Sequence, residues 1–173
     1  MNCVRVFIRT LPFAVLAGCA GAPPPPPSGA LTISNLRYGP LCDGPYWQVC
    51  GQSTSDIAVD GKGSCLYDHQ QRPCTWYGFS FDYTPVGSGA SLDCEVVSDR
   101  KHDEGNPDGV KARGVTTSSY HIDLSGTTGH HVQAQYQGYV KFDGVQTLTE
   151  TCSYQGRKMV EVTLRFHYAG AST

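Results

Sequence analysis

The sequence has no apolar run long enough to cross a bilayer. Its short apolar stretch near the start, residues 11–16, is interrupted by Pro12 and falls far below the roughly 20 residues that a spanning helix needs. Positive charge is also scarce: beyond residue 18 the formal net charge is 11 − 15 = −4. These two features argue against a membrane-spanning helix and against a basic nucleic-acid-binding surface.

Common catalytic and metal-binding motifs are missing as well. The chain contains no G-x-S-x-G nucleophile elbow and no H-E-x-x-H sequence. The adjacent His130 and His131 are poorly placed to hold one metal ion, because neighbouring residues of a strand point to opposite faces. His121 and His167 are expected on the polar faces of their strands. We therefore predict no metal, no other cofactor and no catalytic residues.

Cysteine, in contrast, is well represented. Two of the eight cysteines lie in the first 19 residues, and six remain at positions 42, 50, 65, 74, 94 and 152. An even number in an exported chain indicates a disulfide framework, and the gaps differ from the C-x2-C spacing of zinc sites. Fifteen complete pairings are open. The short gaps favour Cys42–Cys50 and Cys65–Cys74, which leaves Cys94–Cys152 on two strand-like segments.

Alternation of apolar and polar residues dominates the second half of the chain. In residues 159–168 every second side chain is apolar, which is typical of a strand with one buried and one wet face. Residues 79–83, 92–96, 120–124 and 131–142 show the same period. Turn sequences separate these runs at Asn106–Gly109, Asp143–Gly144 and Gln155–Gly156. No long segment has the 3.6-residue period of a helix.

This pattern predicts an all-β fold. We expect an antiparallel β-sandwich, immunoglobulin-like in architecture and stapled by disulfides, with a small β-barrel as the alternative. The placement of Cys94 and Cys152 resembles the inter-sheet bridge of immunoglobulin domains, so this disulfide is expected to join two facing sheets. Residues 30–173 are expected to form this single domain.

The first residues have the layout of a secretory signal. Two arginines precede the apolar stretch, and small residues follow it at Ala17 and Gly18. The sequence Leu16-Ala17-Gly18-Cys19 resembles the lipobox of bacterial lipoproteins. This resemblance implies that residues 1–18 are a signal peptide that is removed, and that Cys19 carries acyl chains such as palmitate, which hold the protein to a membrane.

The residues after Cys19 predict how the domain is displayed. Ala20 stands where an aspartate would favour inner-membrane retention, so we expect the outer membrane of a Gram-negative envelope, on the side facing the periplasm. Residues 19–29 include five consecutive prolines. A proline run favours extended polyproline II at about 3.1 Å per residue, which would hold the domain about 30 Å from the lipid surface.

Two stretches that the predicted disulfides close carry the candidate binding residues. The Cys42–Cys50 stretch contains Tyr46 and Trp47, and the Cys65–Cys74 stretch contains Tyr67, His69 and Arg72. Aromatic and charged groups on a pre-organised loop are good binding anchors, because little entropy is lost on docking. The alternative for Trp47 is that it packs inward over one end of the sandwich.

These observations predict a non-catalytic bacterial envelope lipoprotein. Its β-sandwich, displayed on a proline-rich stalk, is expected to bind another envelope protein, a secreted protein or the cell wall. Contact with the membrane is expected only through the lipid anchor, and no nucleic acid is expected as a partner. The alternative is a periplasmic hydrolase with an unrecognised motif, which a deep cleft with converging Ser, His and Asp side chains would favour.

We predict that Cys19→Ser releases the protein from the membrane fraction or blocks its processing, because the acyl chains supply the hydrophobic anchoring. Fractionation of cells followed by immunoblotting measures both effects. Cys3→Ser is the matched control and is expected to change neither. Unchanged processing together with unchanged membrane association of Cys19→Ser would contradict the prediction.

Overall fold

The computed structural model describes residues 30–42, 47–84, 89–138 and 143–168. The predicted signal peptide, the lipobox with Cys19, the stalk and Tyr46 lie outside these residues. The described chain forms ten strands and contains no helix, and so no helix within it could span a membrane. The strands are β1 (Thr32–Cys42), β2 (Gln48–Val49), β3 (Asp56–Val59), β4 (Gly63–Tyr67), β5 (Gln70–Thr84), β6 (Gly89–Asn106), β7 (Gly109–Ser125), β8 (Gly129–Gly138), β9 (Gly144–Tyr154) and β10 (Arg157–Tyr168).

The strands form one continuous sheet that folds into two layers. Its order is β2-β1-β5-β8-β6-β9-β10-β3, with β4 paired to β5 and β7 paired to β6. All pairings are antiparallel except that of β10 with β3. Strands β8 and β6 meet at a single residue pair, Tyr136 and Gly105. The predicted all-β class is confirmed, and because the sheet is curled the alternative of a small barrel also describes it.

The main core lies between the two layers. Strand β10 contributes the alternating buried side chains that the sequence predicts, and β5, β6, β7 and β9 contribute theirs from both layers. The guanidinium of Arg157, at the start of β10, donates to the backbone carbonyl of Leu31 next to β1 at 2.9 Å. This bond joins the two layers on the side away from the β6–β8 contact. The core members with the least exposure are Leu31, Ile57, Phe79, Phe81, Leu92, Val96, Leu148, Cys152, Leu164 and Phe166.

Strand β8 does not have the wet face that its alternation predicts. Gln135 and Gln137 are only 2% and 4% exposed. The apolar side chains on the other face of β8 belong to a second apolar cluster. Because β5 and β8 are covered on both faces, the glutamines that alternation assigns to water face the interior, where they form hydrogen bonds. The second cluster consists of Leu41, Val49, Cys65, Cys74, Trp76, Ala134 and Tyr136.

The structure joins the same three cysteine pairs that the sequence predicts. Cys42 is bonded to Cys50, Cys65 to Cys74, and Cys94 to Cys152.

The expected location of the third bridge is wrong. Cys94 and Cys152 are directly opposite one another on β6 and β9, with their Cα atoms 4.0 Å apart. Both cysteines point into the core, as alternation predicts, but their strands are neighbours within one layer. The bridge therefore links two adjacent strands instead of two facing sheets.

Two of the three predicted turns are confirmed and one is wrong. Residues 106–109 connect β6 to β7, and Gln155 and Gly156, with φ of 50° and 76°, connect β9 to β10. Asp143–Gly144 does not close a hairpin, because β8 pairs with β5 and β6 whereas β9 pairs with β6 and β10. Strands β8 and β9 are therefore consecutive in the chain but not neighbours in the sheet.

We predict that Gly105→Ala destabilises the fold. A Cβ at residue 105 would lie 2.1 Å from Cζ of Tyr136, which forces the ring or the strand to move. Overpacking of this kind costs about 1–3 kcal/mol. Urea unfolding measures the loss, and Gly138→Ala is the matched control because a Cβ there meets no atom within 4 Å. Equal unfolding midpoints for the two variants would contradict the role of the close approach.

Candidate functional site

A cavity of about 680 Å³ opens between the β4–β5 hairpin and the second half of β6. Its walls include the Cys65–Cys74 disulfide, Pro73 and the ring of Tyr136. Its volume falls within the range of about 300–1,000 Å³ that small-ligand sites occupy. The cavity is therefore large enough to hold a small molecule or a few residues of a bound chain.

The β4–β5 hairpin is fixed against the sheet at several points. Its two-residue turn consists of Asp68 and His69, with φ of 50° and 62°, the left-handed conformation that tight hairpins need. The disulfide ties its two strands together. The hydroxyl of Tyr136 donates to the carbonyl oxygen of Leu66 at 3.1 Å. The hairpin is thus a pre-organised wall of the cavity.

Tyr67 connects the hairpin to strands β6 and β7. Its hydroxyl donates to the carboxylate of Asp103, and this hydrogen bond raises the pKa of Tyr67 above its usual value. Asp103 also accepts a bond from the backbone N–H of Gly114 at 2.8 Å. The guanidinium groups of Arg72 and Arg113 lie 4.7 and 5.0 Å from the centroid of the Tyr67 ring. Such cation–π contacts orient the two arginines.

The mouth of the cavity is locally positive. Arg72, Arg100 and Lys101 line it with exposed side chains, whereas Asp103 is the one acidic residue of the lining. Asp103 is already engaged by Tyr67 and the backbone of Gly114. A concentration of positive charge on a chain that is negative overall attracts anions to this position.

Buried polar groups lie deeper in the lining. His102 is 6% exposed, and neither of its ring nitrogens has a hydrogen-bond partner among the described residues. The same holds for the side-chain oxygen of Gln137, whereas its nitrogen donates to the hydroxyl of Tyr168 at 2.6 Å. That hydroxyl donates to Gln146 at 2.9 Å. A buried group without a partner costs about 1–3 kcal/mol, so these atoms lower the stability of the wall behind the cavity.

The structure brings together some of the predicted binding residues and separates others. Tyr67 and Arg72 line the cavity, and His69 is exposed at the tip of the hairpin outside the lining. Trp47 is half-buried in the second cluster, where its ring centroid lies 4.5 Å from that of Trp76. Trp47 thus packs inward, which is the alternative interpretation of this residue, and it does not join the cavity.

Sequence reasoning missed Lys101, His102 and Gln137. Residues 100–103 form a polar, mostly charged run inside β6 that interrupts the alternation of its first half, and alternation in β8 predicts that Gln137 faces water. The run of three basic side chains in front of Asp103 is the one signal that points to this site. It becomes informative only when the strand is known to border a cavity.

Three other histidines of the strands pair with aspartates on the surface. Ring nitrogens lie within 2.7–2.9 Å of carboxylate oxygens in the pairs His121–Asp93, His130–Asp82 and His167–Asp56. No group of three potential metal ligands occurs in the described ranges. These pairs are spread over the outer faces of the strands.

The cavity does not assemble the side chains of a serine-type hydrolase. Its lining contains His102 and Asp103, but no Ser or Thr belongs to it within the described chain. Both lining cysteines are held in the disulfide. Among the described residues, the cavity therefore presents hydrogen-bonding and charged groups without a serine or threonine hydroxyl or a free thiol.

A second group of buried polar side chains lies between the layers. Glu150 is fully buried, and its Oε2 accepts bonds from the hydroxyl of Tyr120 at 2.8 Å and from Gln135 at 3.1 Å. Burial raises the pKa of Glu150 to about 7, and the charge of the nearby Glu104 adds to the rise. The two hydrogen bonds oppose the rise without cancelling it.

Comparison with known proteins defines the fold class. No protein-family model and no curated protein matches the chain. An immunoglobulin-like protein from Pseudomonas aeruginosa is similar in structure, with a TM-score of 0.53 and 13% identity over 79% of this chain and 96% of that protein. The N-terminal domain of PorA is matched over 81% of this chain and 98% of that domain at 10% identity, with a TM-score of only 0.38. The first likeness shows that the fold is immunoglobulin-like, as the sequence predicts.

We predict that Glu150→Gln removes a pH-dependent loss of stability. In the unfolded chain this carboxyl loses its proton near pH 4.5, whereas in the folded protein it holds the proton to about pH 7. The free energy of unfolding therefore falls as pH rises between these values, because the folded state binds more protons there. By about pH 8 the loss amounts to about 3 kcal/mol.

Urea unfolding of the parent protein and of Glu150→Gln, between about pH 4 and pH 8, measures this difference. Glu95→Gln, at an exposed position of β6, is the matched control and is expected to follow the parent. If the free energy of unfolding changes with pH in the same way for the parent and for Glu150→Gln, the pH dependence does not come from Glu150.

Proposed function

We propose that this protein is a non-catalytic envelope lipoprotein whose β-domain binds another component of the envelope. The observation that carries the proposal is the cavity beneath the β4–β5 hairpin, which combines a cationic mouth with apolar walls on a disulfide-bonded hairpin. A partner that places an anionic group at the mouth and an apolar group inside the cavity contacts both. The immunoglobulin-like fold is compatible with binding but does not by itself specify it.

The hairpin supports binding because it is rigid before any partner arrives. The disulfide, the Tyr67–Asp103 hydrogen bond and the Tyr136–Leu66 hydrogen bond each limit its movement. A partner that docks against an ordered wall loses little of its binding free energy to ordering that wall. His69 and Arg72 are exposed on this hairpin and are available to a large partner.

The location of the protein is part of the same proposal. Lipidation of Cys19 and a stalk over residues 19–29 would place the domain in the periplasm beside the outer membrane. Both features depend on the lipobox resemblance and on the proline run. A tethered domain meets envelope partners at a high effective concentration, so that modest affinity is sufficient for function.

Photo-crosslinking in intact cells tests the proposal. We expect a benzoylphenylalanine placed at His69 to form a covalent adduct of discrete mass with an envelope component, because this side chain is exposed at the tip of the hairpin whose strands line the cavity. The same group placed at Lys158, an exposed residue of β10, is the matched control and is expected to form none. Adducts at both positions, or at neither, would count against a binding face at the hairpin.

A further inference from the structure

We propose that the cavity beneath the β4–β5 hairpin binds the free carboxyl terminus of a peptide chain. This inference rests on the proposed function and names the part of the partner that the site takes. It follows from three features of the cavity: the positive charge at its mouth, a volume much larger than a small anion, and its apolar walls. A peptide terminus fits all three within a few residues.

The cationic side chains at the mouth of the cavity favour a ligand that places a negative charge there. Arg72, Arg100 and Lys101 line it, and the single acidic residue, Asp103, is occupied by the Tyr67 hydroxyl and the Gly114 amide. The Arg72 guanidinium is oriented by the ring of Tyr67. A guanidinium in a defined orientation suits a carboxylate, because its parallel N–H groups can donate to both carboxylate oxygens.

The size of the cavity calls for more than a small anion. Its volume of about 680 Å³ has room for a few residues of an extended chain, whereas an inorganic anion would fill only a small part of it. The cationic side chains and the apolar walls belong to one lining, so a single ligand can contact both. The last residue of a peptide carries a carboxylate and a side chain on the same Cα atom and therefore brings both groups to the cavity together.

The apolar walls provide room for a side chain. The Cys65–Cys74 disulfide, Pro73 and Tyr136 border the cavity with surfaces that have little hydrogen-bonding capacity. Tyr136 is held in place from behind, because its ring packs edge-on against Trp76 with centroids 5.4 Å apart. An apolar terminal side chain removed from water against these groups adds binding free energy.

The test uses the full chain, purified in detergent and immobilised, with a mixture of N-acetylated tetrapeptides of random sequence. One mixture has free carboxyl termini, and an otherwise identical mixture ends in carboxamides. We expect retained peptides from the free-acid mixture alone, as identified by mass spectrometry. Calorimetry on a retained peptide is expected to show binding at least about tenfold tighter than that of its carboxamide, and binding weakened by added salt.

Two variants locate the binding. Arg72→Gln and Lys101→Gln are each expected to weaken the free acid about tenfold and to leave the carboxamide little changed. Lys158→Gln, whose side chain pairs with Glu161 on β10, is the matched control and is expected to change neither. Lys101 is exposed, so that its variant is informative even if Arg72→Gln lowers the melting temperature.

Three results would overturn the inference: no peptide retained from either mixture, equal affinity for the acid and the carboxamide, or equal loss in the Lys101 and Lys158 variants. These results leave the proposed function standing if the adduct at His69 forms. Absence of that adduct together with selective binding of free acids would instead support the carboxyl-terminus site and contradict an envelope partner at the hairpin.

Discussion

The close approach of Tyr136 to Gly105 is the contact on which the rest of the structure depends. It is the single residue pair that joins β8 to β6, so that the two layers form one curled sheet at this position. The same tyrosine packs on Trp76, holds the hairpin through the Leu66 carbonyl and borders the cavity. Absence of a side chain at residue 105 therefore determines the sheet geometry and the site together, because the ring occupies the space a Cβ would take.

Strands β5 and β8 are covered on both faces, so polar side chains of β8 have to be buried. One face of these strands packs against the main core and the other face packs against the second cluster, yet β8 carries three glutamines in alternate positions. Two of them are buried and linked to Glu150, Tyr168 and Gln146 through hydrogen bonds. Such networks are stable only when most members have partners. Five buried side-chain atoms have no partner among the described residues: both ring nitrogens of His102 and one oxygen each of Gln135, Gln137 and Glu150. Of these residues, His102 and Gln137 belong to the wall that borders the cavity.

The sequence predicts those parts of the fold that depend on residues close together in the chain. Alternation in β10 depends only on one face being buried, and the turns at 106–109 and 155–156 depend on residues that favour left-handed or tight backbone. Alternation shows where a side chain points but not what covers it, so the burial of Gln137 could not be read from it. The order of the strands is likewise absent from the local pattern. Alternation therefore cannot predict that Cys94 and Cys152 lie on neighbouring strands or that β8 and β9 do not pair. The sequence predicts only part of the site, Tyr67 and Arg72, because both residues lie in one local hairpin. Lys101 and His102 belong to β6, about 30 residues further along the chain, and only the fold brings them to the hairpin.

A domain that keeps a buried carboxyl and unpartnered polar atoms needs stability from elsewhere. Glu150 alone is unfavourable above the pH at which the folded protein releases its proton, because it must then hold a charge in the core. Three disulfides offset such costs, since each can contribute about 2–4 kcal/mol by restricting the unfolded chain. The Cys65–Cys74 bridge is placed where this stabilisation also shapes the cavity wall. Stability and the binding surface are thus coupled at the hairpin: reduction of this one disulfide would remove a constraint on the unfolded chain and, in the same step, the rigidity that makes the wall a pre-organised partner surface.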